Sequence, residues 1–314
     1  MTDAPAGLDV SVIVCTRDRR GSLERTLASI DRARIPAGMT VELLVADNAS
    51  SDGTSAWLRG RSGPLPLRVL EVATPGQTRA RNAALLAAGG RVLAWTDDDV
   101  EVEETWLERL VRPILAGTCD AVAGRVVIPE SLRRIVVGTP LERRIGALAV
   151  TDWTDWETPP RMVGANMAFG RHVLATVSTF DERLGPGPGS LGFHDETLFA
   201  WRLLDAGYRL GGAPDAVVHH RFDAARLDAA SILRIARSFG GSTAYVDWHW
   251  YHLPPKSLLP LRRWRARLRH RVQTLFGGPS AAAERRFLDA WSEGYFDEFR
   301  RCMREPRKYA RRGG

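Results

Sequence analysis

Short apolar runs alternate with helical spacings along the first two thirds of the chain. Val10 to Cys15 is β-rich, Leu23, Leu27 and Ile30 then recur at helical intervals, and Val41 to Ala46 is β-rich again. A short helix near Ser55 to Arg59, a run at Leu67 to Val72, a helix from Gly76 to Ala88 ended by Gly89-Gly90, and a strand at Arg91 to Thr96 extend the alternation. This pattern predicts an α/β fold, a mainly parallel sheet flanked by helices with ligands at the carboxyl ends of its strands.

Trp106, Leu107, Leu110, Val111 and Ile114 give the segment Thr105 to Ala116 one apolar side, and further strands are expected at Ala121 to Ile128, Met162 to Phe169 and Ala216 to His219. The Gly/Pro-rich stretch Gly185 to Gly192 reads as a mobile loop. It leads into a helix that starts at Asp195-Glu196 and ends at Gly207. Beyond about Ala225 the spacing is wholly helical, with Ile232, Ile235, Ala236 and Phe239 on one face. The expected division is therefore a sheet domain over 1–222 and a C-terminal basic helical region over 223–314.

At 314 residues and 44% hydrophobic content the chain can bury a substantial core. No stretch reaches the roughly 18 apolar residues of a membrane span. The first residues lack a signal-peptide pattern, so the cytoplasm is the expected compartment. Cys15, Cys119 and Cys302 stand apart and form no zinc or disulfide framework, which leaves metal chemistry to carboxylates and histidines. The net charge of +7 is concentrated late, with six arginines between Leu261 and Arg271 around Trp264. A solvated helix face, an anionic membrane surface and nucleic acid are the readings of that segment, in that order.

Asp97-Asp98-Asp99 crowds three carboxylates at the end of the Arg91 to Thr96 strand. Repulsion makes such a cluster costly unless a cation sits there, and hard oxygen ligands with open positions suit Mg²⁺ or Mn²⁺ shared with substrate phosphates. An acidic turn capping the next helix is the other reading. His219-His220 follows a strand, and neighbouring strand residues point to opposite faces, so at most one of the two is expected at a metal. Trp153 and Trp156 are candidates for stacking on sugar rings, with core packing as the alternative.

Four pieces in order, Val10 to Asp18, Val45 to Thr54 around Asp47, Asp97 to Asp99, and Asp195-Glu196 with Arg202-Leu203, make the chain resemble a family 2 glycosyltransferase over about Asp9 to Phe222. The resemblance implies a GT-A, Rossmann-like fold and inverting transfer of a sugar from a nucleotide-diphosphate donor, with a UDP-sugar expected, to an acceptor hydroxyl of unknown class. Cell-envelope glycan, exopolysaccharide or glycoconjugate synthesis is the implied setting. It places Thr16, Arg17, Asp47, Arg79 and Asn82 at the nucleotide. Asp97 and Asp99 become the DxD acids, Asp99 the direct ligand of Mn²⁺ or Mg²⁺, with His220 as a further ligand and Asp98 at the ribose or in another ligand role. Glu196 or Asp195 is the base, Glu196 preferred, although the order Asp-Glu reverses the commonest family pattern and Leu198 replaces a frequent acid. Arg81 is left as a surface charge or ion-pair partner.

Peripheral membrane association at the inner face of the cell membrane is compatible with the basic tail, and no nucleic-acid partner is expected. A dinucleotide-dependent oxidoreductase would need a GxGxxG turn, which Thr16 to Gly21 lacks. A sugar-nucleotide pyrophosphorylase would need a glycine-rich, lysine-bearing phosphate loop, also absent. The remaining alternative is a non-catalytic glycan- or membrane-binding protein that keeps the fold, against which the intact acids Asp97, Asp99, Asp195 and Glu196 argue.

Overall fold

In the computed structural model, which describes residues 7–152, 161–253 and 279–310, strands β1 (Val10–Thr16), β2 (Val41–Asp47), β3 (Leu67–Glu71) and β4 (Val92–Asp97) alternate with helices α1 (Arg20–Asp31), α2 (Thr54–Gly60) and α3 (Gln77–Ala87). Next come β5 (Val100–Val102), α4 (Trp106–Leu115), β6 (Ala121–Val127), α5 (Glu130–Val136), β7 (Met167–Gly170), α6 (Asp195–Asp205), β8 (Leu210–His220), α7 (Ala229–His249) and α8 (Pro279–Cys302). Among the described residues the strands form one eight-stranded sheet in the order β3-β2-β1-β4-β7-β6-β8-β5.

β1 pairs in parallel with β2 and β4, and β2 with β3. β7 runs antiparallel to β4 and β6, β8 is parallel to β6, and β5 is antiparallel to β8. The central strands are largely apolar and buried because both faces are covered. Alternate residues feed two cores: Val12, Val14, Leu43 and Val45 pack with Leu23 and Leu27 of α1, while Ile13, Leu44 and Ala46 pack with Ala80 and Ala84 of α3. The register then sets Thr16 opposite Asp47 and Cys15 opposite Asp97, so three adjacent strand ends open onto one place.

Two compact units result. The first comprises Met1–Pro129, Ala149–Ser190 and Asp195–Phe222 and holds the whole sheet; the second comprises Glu130–Leu148, Leu191–His194 and Asp223–Gly314. In the second, α7 and α8 pack through Ala244, Tyr295 and Phe299, the Tyr295 hydroxyl donates to Asp247 at 2.6 Å, and Arg237 bonds Glu293 and Asp297. The segments Glu130–Leu148 and Leu191–His194 are a departure from the single boundary read at Phe222.

Other departures have local causes. The strand expected from Met162 begins only at Met167, because the chain turns around Asn166. That side chain donates to the carbonyls of Arg125 and Ala216 and accepts from the Trp106 indole at 2.9 Å, tying three elements together. β5, three residues long, is too short to carry a pattern. The Gly/Pro stretch expected to be mobile is instead bonded down: Pro186 accepts from the Gln77 amide at the start of α3, and the Ser190 hydroxyl donates to the carbonyls of Gly185 and Gly187. Trp153, Trp156 and the arginine-rich segment lie outside the described residues. Among the described residues no helix is long and apolar enough to cross a membrane.

Candidate active site

The first unit gathers its acids at the carboxyl ends of β1, β2 and β4. Thr16, ending β1, donates its hydroxyl to Asp98 at 2.7 Å. A turn with Asp18 at φ +52° then aims Arg19 back at the triplet, where one guanidinium nitrogen reaches Asp98 at 3.1 Å and Asp99 at 2.8 Å. Arg17, by contrast, is solvent-facing and pairs with Asp18. Burial lifts the Asp98 carboxyl to about 6 against the opposing pull of Arg19.

Asp99 is also met from β8. His220 lies on the buried side of that strand with its Nε2 3.1 Å from Asp99 Oδ1, while His219 faces outward to Glu103, as strand alternation requires. In an octahedral shell with bonds of about 2.1 Å, two adjacent ligands stand about 3 Å apart. The Asp99–His220 separation therefore fits two neighbouring positions around one divalent ion, with substrate oxygens and waters for the rest. Asp97 is held elsewhere, 3.4 Å from the Gln77 amide and 3.5 Å from Arg81. Among the described residues no three His, Cys, Asp or Glu converge as a metal-holding group. The donor chemistry suits Mn²⁺ or Mg²⁺ through Asp99 and His220, with Asp97 outside that pair.

Arg81 organises the opposite side. It is 2% exposed, lies 5.9 Å over the Phe180 ring, and donates to Asp195 and, at 2.7 Å, to Glu196. Glu196 Oε1 also accepts the Gly164 amide at 3.1 Å. Within this carboxylate pair Asp195 is sealed at 1% exposure whereas the Glu196 side chain keeps 19%. Burial and the Glu196 charge push the Asp195 carboxyl upward, whereas for Glu196 burial is overcome by Arg81, which holds it down at about 2. The more exposed member of the pair, Glu196, is thus the one the guanidinium favours as a carboxylate, and it keeps an edge open to solvent.

Two glycines make this packing possible. A Cβ on Gly164 would lie 1.8 Å from Arg81 Nη2 and 2.6 Å from Glu196 Oε1; on Gly185, at φ +76°, it would lie 2.2 Å from Thr78 Oγ1 and 2.8 Å from Asp195 Oδ2. Thr78 spans the same place, donating to the Leu184 carbonyl at 2.8 Å.

The other expected residues sit apart from the acids. Asp47 is 1% exposed, accepting the Ser50 amide and the Ser55 hydroxyl in the manner of a turn cap. Arg79 pairs with Glu182 at 3.3 Å, and Asn82 exchanges hydrogen bonds with the backbone of Phe180. Of the two sequence readings of Arg81, ion-pair partner agrees with the structure and surface charge does not. Arg81 stands one turn on from Gln77 and Thr78, at i+4 and i+3 from them, and so shares their face of α3, while Arg79 and Asn82 share another, so helical phase decides which of them meets the acids. Arg19 has no signal in the sequence beyond its place in a basic turn, because the positive φ at Asp18 that redirects it is not encoded by spacing.

The chain has known relatives. The family model described as "Glycosyl transferase family 2" matches residues 11–174, and the chain belongs to that family. A glycosyltransferase, AglE, of Haloferax volcanii is 29% identical over 67% of this chain and 66% of its own length. The succinoglycan biosynthesis protein ExoM of Rhizobium meliloti is 33% identical over 38% of this chain and 39% of its own. The pre-mycofactocin glycosyltransferase of Mycobacterium tuberculosis is 26% identical over 76% of this chain and 48% of its own. The chain therefore spans just under two thirds of the first of these relatives and less than half of the other two. Among solved structures, a mannosyltransferase from Pyrobaculum calidifontis in complex with GDP-Man and Mn²⁺ superposes with a TM-score of 0.61 at 21% identity, over 91% of this chain and 86% of that one. S. aureus TarS 1-349 in complex with UDP gives 0.52 at 16% identity, over 94% and 92%. These likenesses are of fold, the GT-A arrangement of a mainly parallel sheet flanked by helices.

Proposed function

We propose that the chain is an inverting glycosyltransferase that moves a sugar from a nucleotide-diphosphate donor to an acceptor hydroxyl. The observation that carries this reading is Arg81. A single buried guanidinium joins a strand-end acid, Asp97, to an ionised carboxylate, Glu196, so the two sides such a transfer needs are built as one charge network. The donor diphosphate lies against the ends of β1, β2 and β4, with Thr16, Arg17, Asp47 and Asp98 on the nucleotide side; Arg79 and Asn82, held by Glu182 and the Phe180 backbone on another face of α3, stand outside it. Glu196 takes the proton from the acceptor hydroxyl as that oxygen bonds the anomeric carbon; the bond to the diphosphate oxygen breaks and its electron pair leaves with the nucleoside diphosphate. Asp195 shares the Arg81 guanidinium with Glu196 and so helps to fix the orientation of that network.

The chemistry of Asp99 and His220 and the fold shared with a Mn²⁺-containing structure support a divalent cation here. When bound, it would stabilise the negative charge that develops on the leaving diphosphate. A role in assembling a glycan, exopolysaccharide or glycoconjugate agrees with the names of the relatives. Peripheral association with an anionic membrane is proposed for the arginine-rich segment.

A screen of UDP- and GDP-sugars for Mn²⁺-dependent release of nucleoside diphosphate tests the reading. Release with at least one donor, lost in Asp99→Ala, is expected; no release and no thermal stabilisation with any donor would overturn it.

A further inference from the structure

Arg19 differs from the other guanidinium at the triplet. Arg81 is sealed among its carboxylates, whereas the Arg19 side chain keeps 42% of its surface open. It meets the acids through one nitrogen, Nη1, which Asp98 and Asp99 share at 3.1 and 2.8 Å. Two carboxylates thus take one corner of a fork that carries five N–H donors. The backbone beneath it is not loose. Asp18, at φ +52°, is a non-glycine residue in the left-handed region, and the turn after β2 holds it there. Its amide donates to Ser50 Oγ at 2.9 Å, and its carboxylate accepts the Ser51 amide at 2.6 Å and the Ser51 hydroxyl at 3.0 Å. The Arg20 amide donates to Asp52 at 2.9 Å. A sparsely populated conformation so fully over-determined is typical of sites where the strain has a use. Here it turns a guanidinium back to the acids at the strand ends. There Asp99 is divided between two partners, Arg19 on Oδ2 and His220 on Oδ1.

We propose that Arg19 is a diphosphate-binding residue that yields Asp98 and Asp99 to the divalent ion and turns its fork to the phosphate oxygens of the donor. The assignment rests on the proposed function, in which an ion takes Asp99 and His220 and the diphosphate lies at the strand ends. Charge carries the argument. Asp98 and Asp99 together bear two negative charges, which one guanidinium answers only in part; a guanidinium and a divalent ion together exceed them by one positive charge. An arriving diphosphate meets that excess, and a planar fork suits two phosphate oxygens at once. Ion and guanidinium therefore compete for the acids when nothing else is bound, and act together once the diphosphate is there. By linkage, the same residue makes each ligand tighten the other. A guanidinium that only neutralised the acids would need neither an open face nor a strained turn.

Binding measurements on the full chain as wild type, Arg19→Gln and Arg19→Lys test this without turnover. Electron paramagnetic resonance follows free Mn²⁺ in the absence of nucleotide, and calorimetry follows GDP, UDP and inorganic pyrophosphate at saturating Mn²⁺. In Arg19→Gln the ion alone should bind about threefold tighter or more, because its competitor is gone. The nucleoside diphosphate that wild type takes, and pyrophosphate, should bind about tenfold weaker or more. Changes of opposite sign are what a merely structural role would not give, since damage to the triplet weakens ion and diphosphate together. Arg19→Lys keeps the charge without the fork, so its ion affinity should stay within about twofold of wild type and its diphosphate affinity should be intermediate. Thermal unfolding verifies that each variant is folded, and if Arg19→Gln is not, an undiminished diphosphate affinity in Arg19→Lys overturns the proposal. A diphosphate loss below about threefold in Arg19→Gln overturns it too, as does an ion affinity that is unchanged or weaker. Failure of wild type to bind either nucleotide would instead count against the glycosyltransferase reading, and pyrophosphate then carries the Arg19 comparison; failure to bind pyrophosphate as well overturns both.

Discussion

Replacing Arg81 with methionine probes the charge network most severely. The substitution keeps a long apolar stem against Phe180 but removes the partner of Asp195 and Glu196 and the cation nearest Asp97. With the side chain 2% exposed, water cannot replace it. Stripping one partner from a buried ion pair typically costs about 3–5 kcal/mol, a large part of the roughly 5–15 kcal/mol that holds a domain folded. A fall in Tm on the order of 10 °C follows. The penalty has a pH signature. Glu196 in the wild type is held at about 2, below its ordinary 4.5, so its contribution to stability is complete above about pH 4.5 and is lost as pH falls toward 2. Without Arg81 the carboxylates are costly only while ionised. The difference between variant and wild type should therefore be largest at pH 8 and shrink at pH 4. Urea unfolding at both pH values measures it. A difference below about 1 kcal/mol, or one equal at the two pH values, would refute the assignment of Arg81 as the organising charge.

Three further outcomes are expected. Gly185→Ala forces a Cβ into Thr78 and Asp195 at a positive φ, and should cost about 1–3 kcal/mol in unfolding experiments while lowering activity. Asp98, raised by burial from 3.8 to about 6, makes the ligand-free protein less stable as pH climbs from about 4 to 6; Asp98→Asn should flatten that dependence and recover at most about 3 kcal/mol at pH 8, measured by denaturant unfolding. Deleting the chain from Ser257 onward should weaken co-sedimentation with anionic liposomes if the arginine-rich segment contacts membrane, and unchanged partitioning would reject that contact.

Much of the sheet is legible from the sequence because parallel strands buried on both faces leave largely apolar runs, as at Val10–Thr16 and Val41–Asp47, where the inner polar residues Ser11 and Glu42 bond each other. The acids at Asp97–Asp99 and Asp195-Glu196 are legible for a related reason: they interrupt such patterns at strand and helix ends. What spacing does not reveal is the compensation. Three adjacent acids do not need a bound cation to relieve their whole repulsion, because two guanidiniums, Arg19 and Arg81, answer it from within the chain. Arg81 was recoverable from the phase of α3, since it falls one turn from Gln77. Arg19 was not, because a positive φ at a non-glycine residue redirects it. The Gly/Pro stretch misleads in the opposite sense: its composition suggests freedom, but at Gly185 Thr78 and Asp195 leave no room for a Cβ, and the carbonyls of Gly185, Pro186 and Gly187 are already bonded.

Glu196→Gln offers the most direct measurement. With the donor that the screen identifies and its acceptor, the variant should keep nucleotide affinity within about twofold while transfer falls by 10² or more, the usual contribution of a positioned base. Transfer within about threefold of wild type would contradict the claim that Glu196 removes the acceptor proton, and with it the two-sided site on which this account of the protein stands.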